Sequence, residues 1–136
     1  MLTSKMLKGL FSSLSGDYAT PKELLRTLEE EFGKFFDPCP LHNPDNIDGL
    51  SIEWKNPTFV NPPYGREIGK WVKKGYEEAR RGNTVVMLLP SRTDTVWWHE
   101  YVMKAREIRF IKGRLRFGNA VNSAPFPSAI AVFKKV

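Results

Sequence analysis

Apolar and polar positions follow two different periods along the middle of the chain. Residues 58–60 form a short apolar run that ends at an amide and two prolines, which predicts a buried strand, because proline cannot donate to a ladder. Apolar positions at helical spacing follow over residues 68–79 and predict a helix. Residues 84–89 are a continuous apolar run, the pattern of a central parallel strand. Strand, helix and strand in this order predict a right-handed βαβ unit.

Two more helices are predicted before this unit. Residues 1–16 carry apolar positions at helical spacing and predict an N-terminal amphipathic helix, packed on the domain or on a second copy in a homodimer. The next helix is predicted to begin at Pro21, with Thr20 as candidate N-cap and Glu23 completing a capping box. Gly33 is expected to end this helix.

The flanking segments add strands and one helix. Strands are predicted at residues 34–36, 107–111, 114–117 and 128–133, and the third of these alternates apolar residues with arginines. Residues 97–105 predict a helix with an aromatic face. The expected fold class is therefore α/β, with a compact, mostly parallel sheet, a closing antiparallel strand pair and helices on both faces.

Composition narrows the class of protein. A chain of 136 residues with 41% apolar and 26% charged residues suits a soluble globule, expected as a single domain over residues 17–136. A net charge of +6 favours an anionic partner, nucleic acid first. The single cysteine excludes an internal disulfide and suits a reducing cytoplasm. No apolar run has the length of a membrane span, and no signal peptide is visible. A metal site at Cys39 and His42 is not expected, because the sequence offers no second ligand pair.

An amide and an aromatic ring stand directly after the first buried strand of the βαβ unit. Asn61 occupies the strand's carboxyl end, where open α/β sheets bind their ligands. Pro62 and Pro63 fix φ and stiffen the turn, which aims the Asn61 amide and nearby carbonyls at one point. Tyr64 adds a flat apolar face. Such a turn suits a planar group bearing an amino nitrogen, because it offers acceptors for N–H bonds and a ring for stacking.

The sequence Asn61-Pro62-Pro63-Tyr64 resembles the (Asp/Asn)-Pro-Pro-(Tyr/Phe/Trp) motif of S-adenosylmethionine-dependent amino-methyltransferases. The resemblance implies that the Asn61 side chain and the Pro62 carbonyl accept hydrogen bonds from the target nitrogen. It also implies that Tyr64 stacks on a flipped base. A plain Pro-Pro turn after a strand is the alternative for these residues taken alone.

A second stretch resembles a cofactor motif of the same enzymes. Tyr18-x-Thr20-Pro21 is similar to the Tyr-x-Thr-Pro signature that precedes the cofactor strand and touches the methionine part of the cofactor. A helix cap explains Thr20 and Pro21 equally well, so both interpretations stay open.

The expected end of the cofactor strand both matches and departs from the family pattern. Asp37-Pro38-Cys39 resembles the family's strand end, where a carboxylate binds a cationic group of the cofactor. The Gly-x-Gly that usually follows is absent, and residues 40–44 stand in its place. The segment from there to Asn61 is too short for the two further strands and helices of a full methyltransferase fold. Asp48 is the acid expected to bind the cofactor's ribose or adenine, with a solvated loop acid as the alternative.

The order of the motifs is similar to that of phage-encoded DNA N6-adenine methyltransferases from about residue 17 to residue 133. Besides the stretches above, the similarity rests on Leu88-Leu89-Pro90-x-Arg92-x-Asp94-Thr95-x-Trp97, Gly113-Arg114-Leu115-x-Phe117 and Ala124-Pro125-Phe126. It implies a Rossmann-like sheet, S-adenosyl-L-methionine as cofactor, adenine in DNA as substrate, and the cytoplasm of a bacterial or archaeal host of a virus or prophage. The residues expected to bind the substrate are Arg92, Asp94, Arg114 and Arg116. A surface ion pair or a helix cap is the alternative for Arg92 and Asp94.

Two other functions fit the same residues. Related motifs serve enzymes that methylate RNA bases or glutamine side chains of proteins. A non-catalytic nucleic-acid-binding protein with a decayed cofactor site is the second alternative, because the Gly-x-Gly is missing.

Overall fold

The computed structural model describes residues 18–118 and 122–135. In chain order its helices and strands are α1 (Lys22–Phe32), β1 (Thr58–Val60), α2 (Ile68–Arg80), β2 (Val85–Pro90), α3 (Val96–Glu100), β3 (Glu107–Phe110) and β4 (Ser128–Phe133). Two short 3₁₀ helices cover Gly49–Ser51 and Val102–Lys104. The amphipathic helix predicted for residues 1–16 lies outside the described residues.

The four strands form one sheet in the order β1-β2-β4-β3. β1 runs parallel to β2, with Val60 opposite Met87. β4 runs antiparallel to both β2 and β3. β1, β2 and β3 therefore point the same way, and their last residues, Val60, Pro90 and Phe110, lie at one edge of the sheet. We call this edge the carboxyl edge.

The α/β class, the β1-α2-β2 unit and an antiparallel last strand agree with the sequence, but the expectation of a mostly parallel sheet is wrong. Among the described strands, β1 and β2 form one parallel pair and the two other pairs are antiparallel. The physical reason is the position of β4. Because this reversed strand lies between β2 and β3, its pairings with both of them are antiparallel.

Helices α1 and α2 lie on opposite faces of the sheet. Gly75 of α2 lies so close to β2 that an added Cβ would stand 2.7 Å from the Met87 sulfur. Leu88 points to the other face, because successive residues of a strand alternate. Arg109 shares the face of Leu88 through the register across β4, and its guanidinium binds Glu31 of α1.

The centre of the sheet supplies the rigid part of the molecule. Every residue of β2 and β4 is buried. A fully buried Val, Leu, Ile or Phe side chain contributes about 1.5–3 kcal/mol relative to an exposed one. The ends of these strands are consequently well fixed, and turns that follow them at the carboxyl edge have a firm base. Within the part of the chain that the structure describes, no helix combines the length and hydropathy that crossing a membrane requires.

Two predicted strands are not strands. Residues 114–117 belong to none of the described strands, and the Ala124 N–H donates to the Leu115 carbonyl at 2.8 Å. The segment leaves the sheet instead, because Phe117 is buried against the Tyr18 ring and the Gly118 N–H donates to the Ala19 carbonyl. Residues 34–36 are reduced to an isolated parallel bridge between Phe36 and Thr58.

The predicted helix over residues 97–105 is also shorter than expected. It divides into α3 and the 3₁₀ turn at Val102–Lys104, with Tyr101 between them in a non-helical conformation.

Candidate active site

The turn over residues 61–64 begins at the end of β1 and presents a fixed amide. The Asn61 Nδ2 group donates to the Tyr18 carbonyl at 2.6 Å and to the Thr20 hydroxyl oxygen at 3.1 Å. The Oδ1 atom is buried and has no hydrogen-bond partner among the described residues. The predicted acceptor for an amino group is therefore the end of the amide that the protein leaves unused. Three other described side-chain atoms share this property, namely Asn83 Oδ1, Ser91 Oγ and Ser128 Oγ.

Thr20 does not cap helix α1, so this part of the helix-start prediction is wrong. The N-cap is Pro21, which makes no side-chain capping bond, and Glu23 binds Arg26 instead of completing a capping box. The Thr20 hydroxyl accepts a hydrogen bond from Asn61, a residue distant in the sequence. A tertiary hydrogen bond to Asn61 therefore replaces the local capping bond that the sequence predicted. The C-cap at Gly33 is confirmed.

The Tyr64 side chain is buried. Its ring centroid lies 5.4 Å from that of Tyr18, and the rings of Phe117 and Phe126 approach it edge-on at 6.3 and 5.4 Å. Its hydroxyl donates to the Leu88 carbonyl at 3.3 Å. Burial, with a smaller effect of Tyr18, raises the pKa of Tyr64 far above its ordinary value. Tyr64 is therefore a neutral hydrogen-bond donor inside an aromatic cluster.

Phe117 and Phe126 are site residues to which sequence reasoning gave no role. Both are buried against Tyr18, whose ring centroid lies 4.7 Å from that of Phe117 and 5.6 Å from that of Phe126. The signal was present, since both belong to motifs that the family resemblance picks out. We call Tyr18, Tyr64, Phe117 and Phe126 the aromatic cluster.

A pocket of about 310 Å³ adjoins the aromatic cluster at the carboxyl edge. Its lining consists of Tyr18, Tyr64, Gly65, Ile68, Pro90, Arg92, Thr95, Trp97, Pro125 and Phe126. The Arg92 guanidinium lies over the Phe126 ring, 5.9 Å from its centroid. Burial raises the pKa of Tyr18 although Arg92 opposes the shift. The predicted site residues Asn61, Asp37 and Asp94 are not part of this lining.

Asp37 lies at the same edge as Asn61. Phe36 pairs in parallel with Thr58, and the Phe59 N–H donates to the Phe36 carbonyl at 2.9 Å, so Asp37 continues alongside the end of β1. The Asp37 carboxylate accepts from the Cys39 N–H at 2.8 Å. Desolvation of the carboxyl raises the pKa of Asp37, and the hydrogen bond from Cys39 only partly opposes it, although the residue as a whole is exposed.

The turn after Asp37 is held by close packing rather than by glycines. Pro38 is buried, and its carbonyl oxygen fills the space where a Cβ at Gly49 would stand. Asp48 caps this 3₁₀ turn by accepting from the Leu50 N–H at 3.0 Å and from the Ser51 hydroxyl at 2.7 Å. These bonds, with that from Ser51 the stronger, lower the pKa of Asp48.

The remaining predicted substrate residues lie on exposed segments. Arg114 and Arg116 belong to the segment that follows β3 at the carboxyl edge, and both are exposed. Gly118 closes this segment by donating to the Ala19 carbonyl at 3.0 Å. Asp94 is exposed in the loop before α3, and the helix is capped by the neighbouring Thr95 hydroxyl, which accepts from the Trp98 N–H.

We expect Asp37→Asn to raise the free energy of unfolding at neutral pH and to leave it nearly unchanged in acid. The folded-state pKa of Asp37 is raised, so its ionisation costs stability once the pH exceeds the unfolded-state pKa, and the full cost is reached above the folded-state pKa. Asparagine keeps the acceptor for Cys39 and removes the charge. Urea unfolding from about pH 3 to about pH 8 checks this. Identical curves for both proteins at every pH would contradict it.

The fold and the site together define an α/β protein whose carboxyl edge carries a fixed amide, a carboxylate and an apolar pocket. A sequence profile of the family described as DNA N-6-adenine-methyltransferase (Dam) matches residues 10–133. The chain is also similar to a DNA N-6-adenine-methyltransferase of Escherichia phage T1, with 32% identity over 109 residues, which cover 72% of this chain and 45% of the phage protein. The chain thus spans less than half of that relative.

The chain belongs to the DNA N-6-adenine-methyltransferase (Dam) family, because the profile covers most of its length. The resemblance to phage-encoded adenine methyltransferases is thereby confirmed.

Proposed function

We propose that the protein transfers a methyl group from S-adenosylmethionine to the N6 amino group of adenine in DNA. The observation that carries the proposal is the Asn61 amide, anchored through Nδ2 while the buried Oδ1 has no partner among the described residues. Such an atom costs free energy in a folded protein and calls for an explanation. Family membership supports an amino group of adenine as its partner.

The chemistry requires activation of a weak nucleophile. The lone pair of the exocyclic adenine nitrogen is delocalised into the ring, so the nitrogen must become tetrahedral before it reacts. Two preorganised acceptors, Asn61 Oδ1 and the Pro62 carbonyl, favour that change in the transition state. The proline-fixed turn keeps both acceptors in place, which lowers the cost of orienting the reacting groups. Pro63 completes the turn and leads to Tyr64.

The bound cofactor supplies an electrophilic methyl group. A carboxylate suits its cationic amino group, and Asp37 lies at the carboxyl edge next to the end of β1. Three strands in one direction beside a reversed strand support a Rossmann-like methyltransferase sheet. The residues proposed to hold the cofactor are Tyr18, Thr20, Pro21, Asp37, Pro38, Cys39 and Asp48. Close packing of Pro38 on Gly49 shapes the turn where the family usually has Gly-x-Gly.

The adenine is proposed to leave the DNA stack and enter the pocket beside Tyr64. The pocket has apolar walls and one cation, Arg92, at its rim, which suits a base attached to a phosphate backbone. Stacking on Tyr64 requires the aromatic cluster to open, since the Tyr64 ring is buried beside Phe117 and Phe126. Contact with Asn61 Oδ1 requires an opening as well, because this atom is buried and Asn61 is not part of the pocket lining. Asp94 is proposed to contact the substrate from the neighbouring loop.

A substrate panel tests the proposal against its alternatives. Purified protein is incubated with cofactor carrying a labelled methyl group and with DNA, RNA of the same sequence, or a glutamine-rich protein. We expect label only in DNA. Label confined to RNA or protein would contradict the adenine-DNA assignment. No label anywhere, together with no cofactor binding by calorimetry, would favour the non-catalytic alternative.

We expect Arg114→Ala/Arg116→Ala to weaken DNA binding and to flatten its salt dependence. Each phosphate contact releases counterions and contributes about −0.9 to the slope of log K against log salt, so two lost contacts reduce the slope by about 2. The matched control is Lys70→Ala/Lys73→Ala, which removes the same charge from exposed residues of α2 that pair with Glu67 and Glu77. Equal slopes for the two double variants would contradict a specific role of the arginines.

A further inference from the structure

The segment over residues 18–20 contacts both ends of the turn over residues 61–64. Its first residue offers a carbonyl and its third a hydroxyl, and both accept from the Asn61 Nδ2 group. The Tyr18 ring also packs on Tyr64 at 5.4 Å. The family resemblance gave this segment only a cofactor role.

We infer that the Tyr18 carbonyl and the Thr20 hydroxyl are positioning groups for methyl transfer. They fix the rotation of the Asn61 amide so that Oδ1 faces the target nitrogen. The inference rests on the proposed function of Asn61 as the acceptor. It adds a second role for Thr20, distinct from contact with the cofactor.

The orientation of the amide follows from the chemistry of its partners. A backbone carbonyl can only accept a hydrogen bond, so the Asn61 atom 2.6 Å from the Tyr18 oxygen must be the NH₂ group. A flipped amide would bring two oxygens to this distance and they would repel each other. The Thr20 hydroxyl can donate or accept, and beside an NH₂ group it accepts. Tyr18 thus dictates the orientation, and Thr20 binds the second hydrogen.

The anchoring segment is itself tied down. Ala19, between the two anchors, accepts a hydrogen bond from Gly118 N–H at 3.0 Å. Tyr18 is buried in the aromatic cluster. Thr20 makes no cap for α1, so its hydroxyl serves Asn61 and not the helix. The segment consequently has the rigidity that a positioning element needs.

Replacement of Thr20 separates positioning from cofactor binding. Thr20→Val keeps the shape of the side chain and removes the acceptor. We expect the single-turnover rate at saturating cofactor to fall about 3- to 10-fold, the effect of one neutral hydrogen bond. Thr20→Ser retains the hydroxyl and is expected to restore the rate. The matched control is Thr27→Val, which removes a hydroxyl bonded to the Glu23 carbonyl inside α1 and is expected to leave the rate unchanged.

A carboxylate at position 61 tests the Tyr18 carbonyl. Aspartate is a stronger acceptor for an amine than asparagine, and the family motif admits it. In this chain one carboxylate oxygen would face the Tyr18 carbonyl oxygen, so the productive rotamer is disfavoured. We therefore expect Asn61→Asp to be at least about 10-fold slower than wild type. A rate equal to that of wild type would show that the NH₂ anchor is dispensable and would overturn the inference.

The outcomes distinguish failure of the proposed function from failure of the positioning role. A wild-type protein that methylates no DNA rejects the proposed function. An active wild type whose rate at saturating cofactor survives Thr20→Val rejects the positioning role alone. A loss of cofactor affinity with that rate unchanged would leave Thr20 with the cofactor role only. A readout independent of activity is the exchange of the Asn61 side-chain amide protons by NMR. We expect Thr20→Val to accelerate it, and an unchanged exchange rate would also reject the anchor.

Discussion

Asn61→Ala is expected to lower the single-turnover rate of adenine methylation about 10²- to 10³-fold, the typical cost of losing one preorganised transition-state partner. The substitution removes Oδ1, which is buried without a partner among the described residues. It also removes the Nδ2 bonds to Tyr18 and Thr20, so we expect a loss of about 1 kcal/mol of stability. Cofactor affinity, measured by calorimetry, is expected to stay close to that of wild type.

Asn83→Ala is the matched control for this variant. Asn83 is a buried asparagine whose Nδ2 donates to the Thr58 hydroxyl at 2.9 Å and whose Oδ1 also lacks a partner among the described residues. It precedes β2 and therefore lies away from the carboxyl edge. We expect the Asn83→Ala protein to be less stable than wild type but to keep the wild-type single-turnover rate at temperatures below its melting temperature. An Asn61→Ala protein that turns over within a few-fold of wild type would contradict the catalytic role of the amide.

Gly49→Ala is expected to destabilise the protein by about 3 kcal/mol, the upper end of the usual cost of overpacking. A Cβ at this position would stand 2.0 Å from the Pro38 carbonyl oxygen and 2.7 Å from the Trp71 ring. The Pro38 carbonyl belongs to the backbone and cannot rotate away. Because Pro38 follows Asp37, the displacement reaches the proposed cofactor turn as well. Urea unfolding gives the loss of stability.

Gly69→Ala is expected to have the opposite effect on stability, because a Cβ at Gly69 meets no close contact. Its Cβ would lie 3.6 Å from the Trp97 side chain, an ordinary contact, and the residue lies in α2. Alanine is favoured over glycine in a helix by up to about 1 kcal/mol, so this variant is expected to be slightly more stable than wild type. A Gly49→Ala protein within a few tenths of a kcal/mol of wild type would show that Pro38 is not packed against this glycine.

The βαβ unit was predictable because its signals are local. Buried parallel strands are apolar throughout, and prolines mark the ends of both β1 and β2. The position of Asn61 at the carboxyl edge follows from the same signals. Helix α2 has a regular apolar stripe, so its type and approximate limits were also accessible from the sequence.

The arrangement of the remaining strands was not predictable in the same way. Residues 114–117 alternate like a strand, but Phe117 packs on Tyr18, far away in the sequence, and the segment therefore leaves the sheet. The place of β4 between β2 and β3 is set by pairing between segments far apart in the chain. Alternation along one segment carries no information about its neighbours in the sheet.

The sequence pointed to residues of the candidate site, but only to part of their contacts. Asn61 and Thr20 were both singled out, yet the bond between them joins residues distant in sequence, and a local helix cap explained Thr20 equally well. The family motif predicts that Tyr64 stacks on a base, but the packing of its ring beside Phe117 and Phe126 joins residues far apart in the sequence and was not predicted. This packing depends on where the loops that carry Phe117 and Phe126 return to the sheet.

The most direct test is mass spectrometry of nucleosides from DNA incubated with the wild-type protein and S-adenosylmethionine whose methyl group carries deuterium. The account predicts N6-methyldeoxyadenosine containing the deuterated methyl group, and its loss in Asn61→Ala. Protein that binds both cofactor and DNA but yields no deuterated N6-methyldeoxyadenosine would contradict the account.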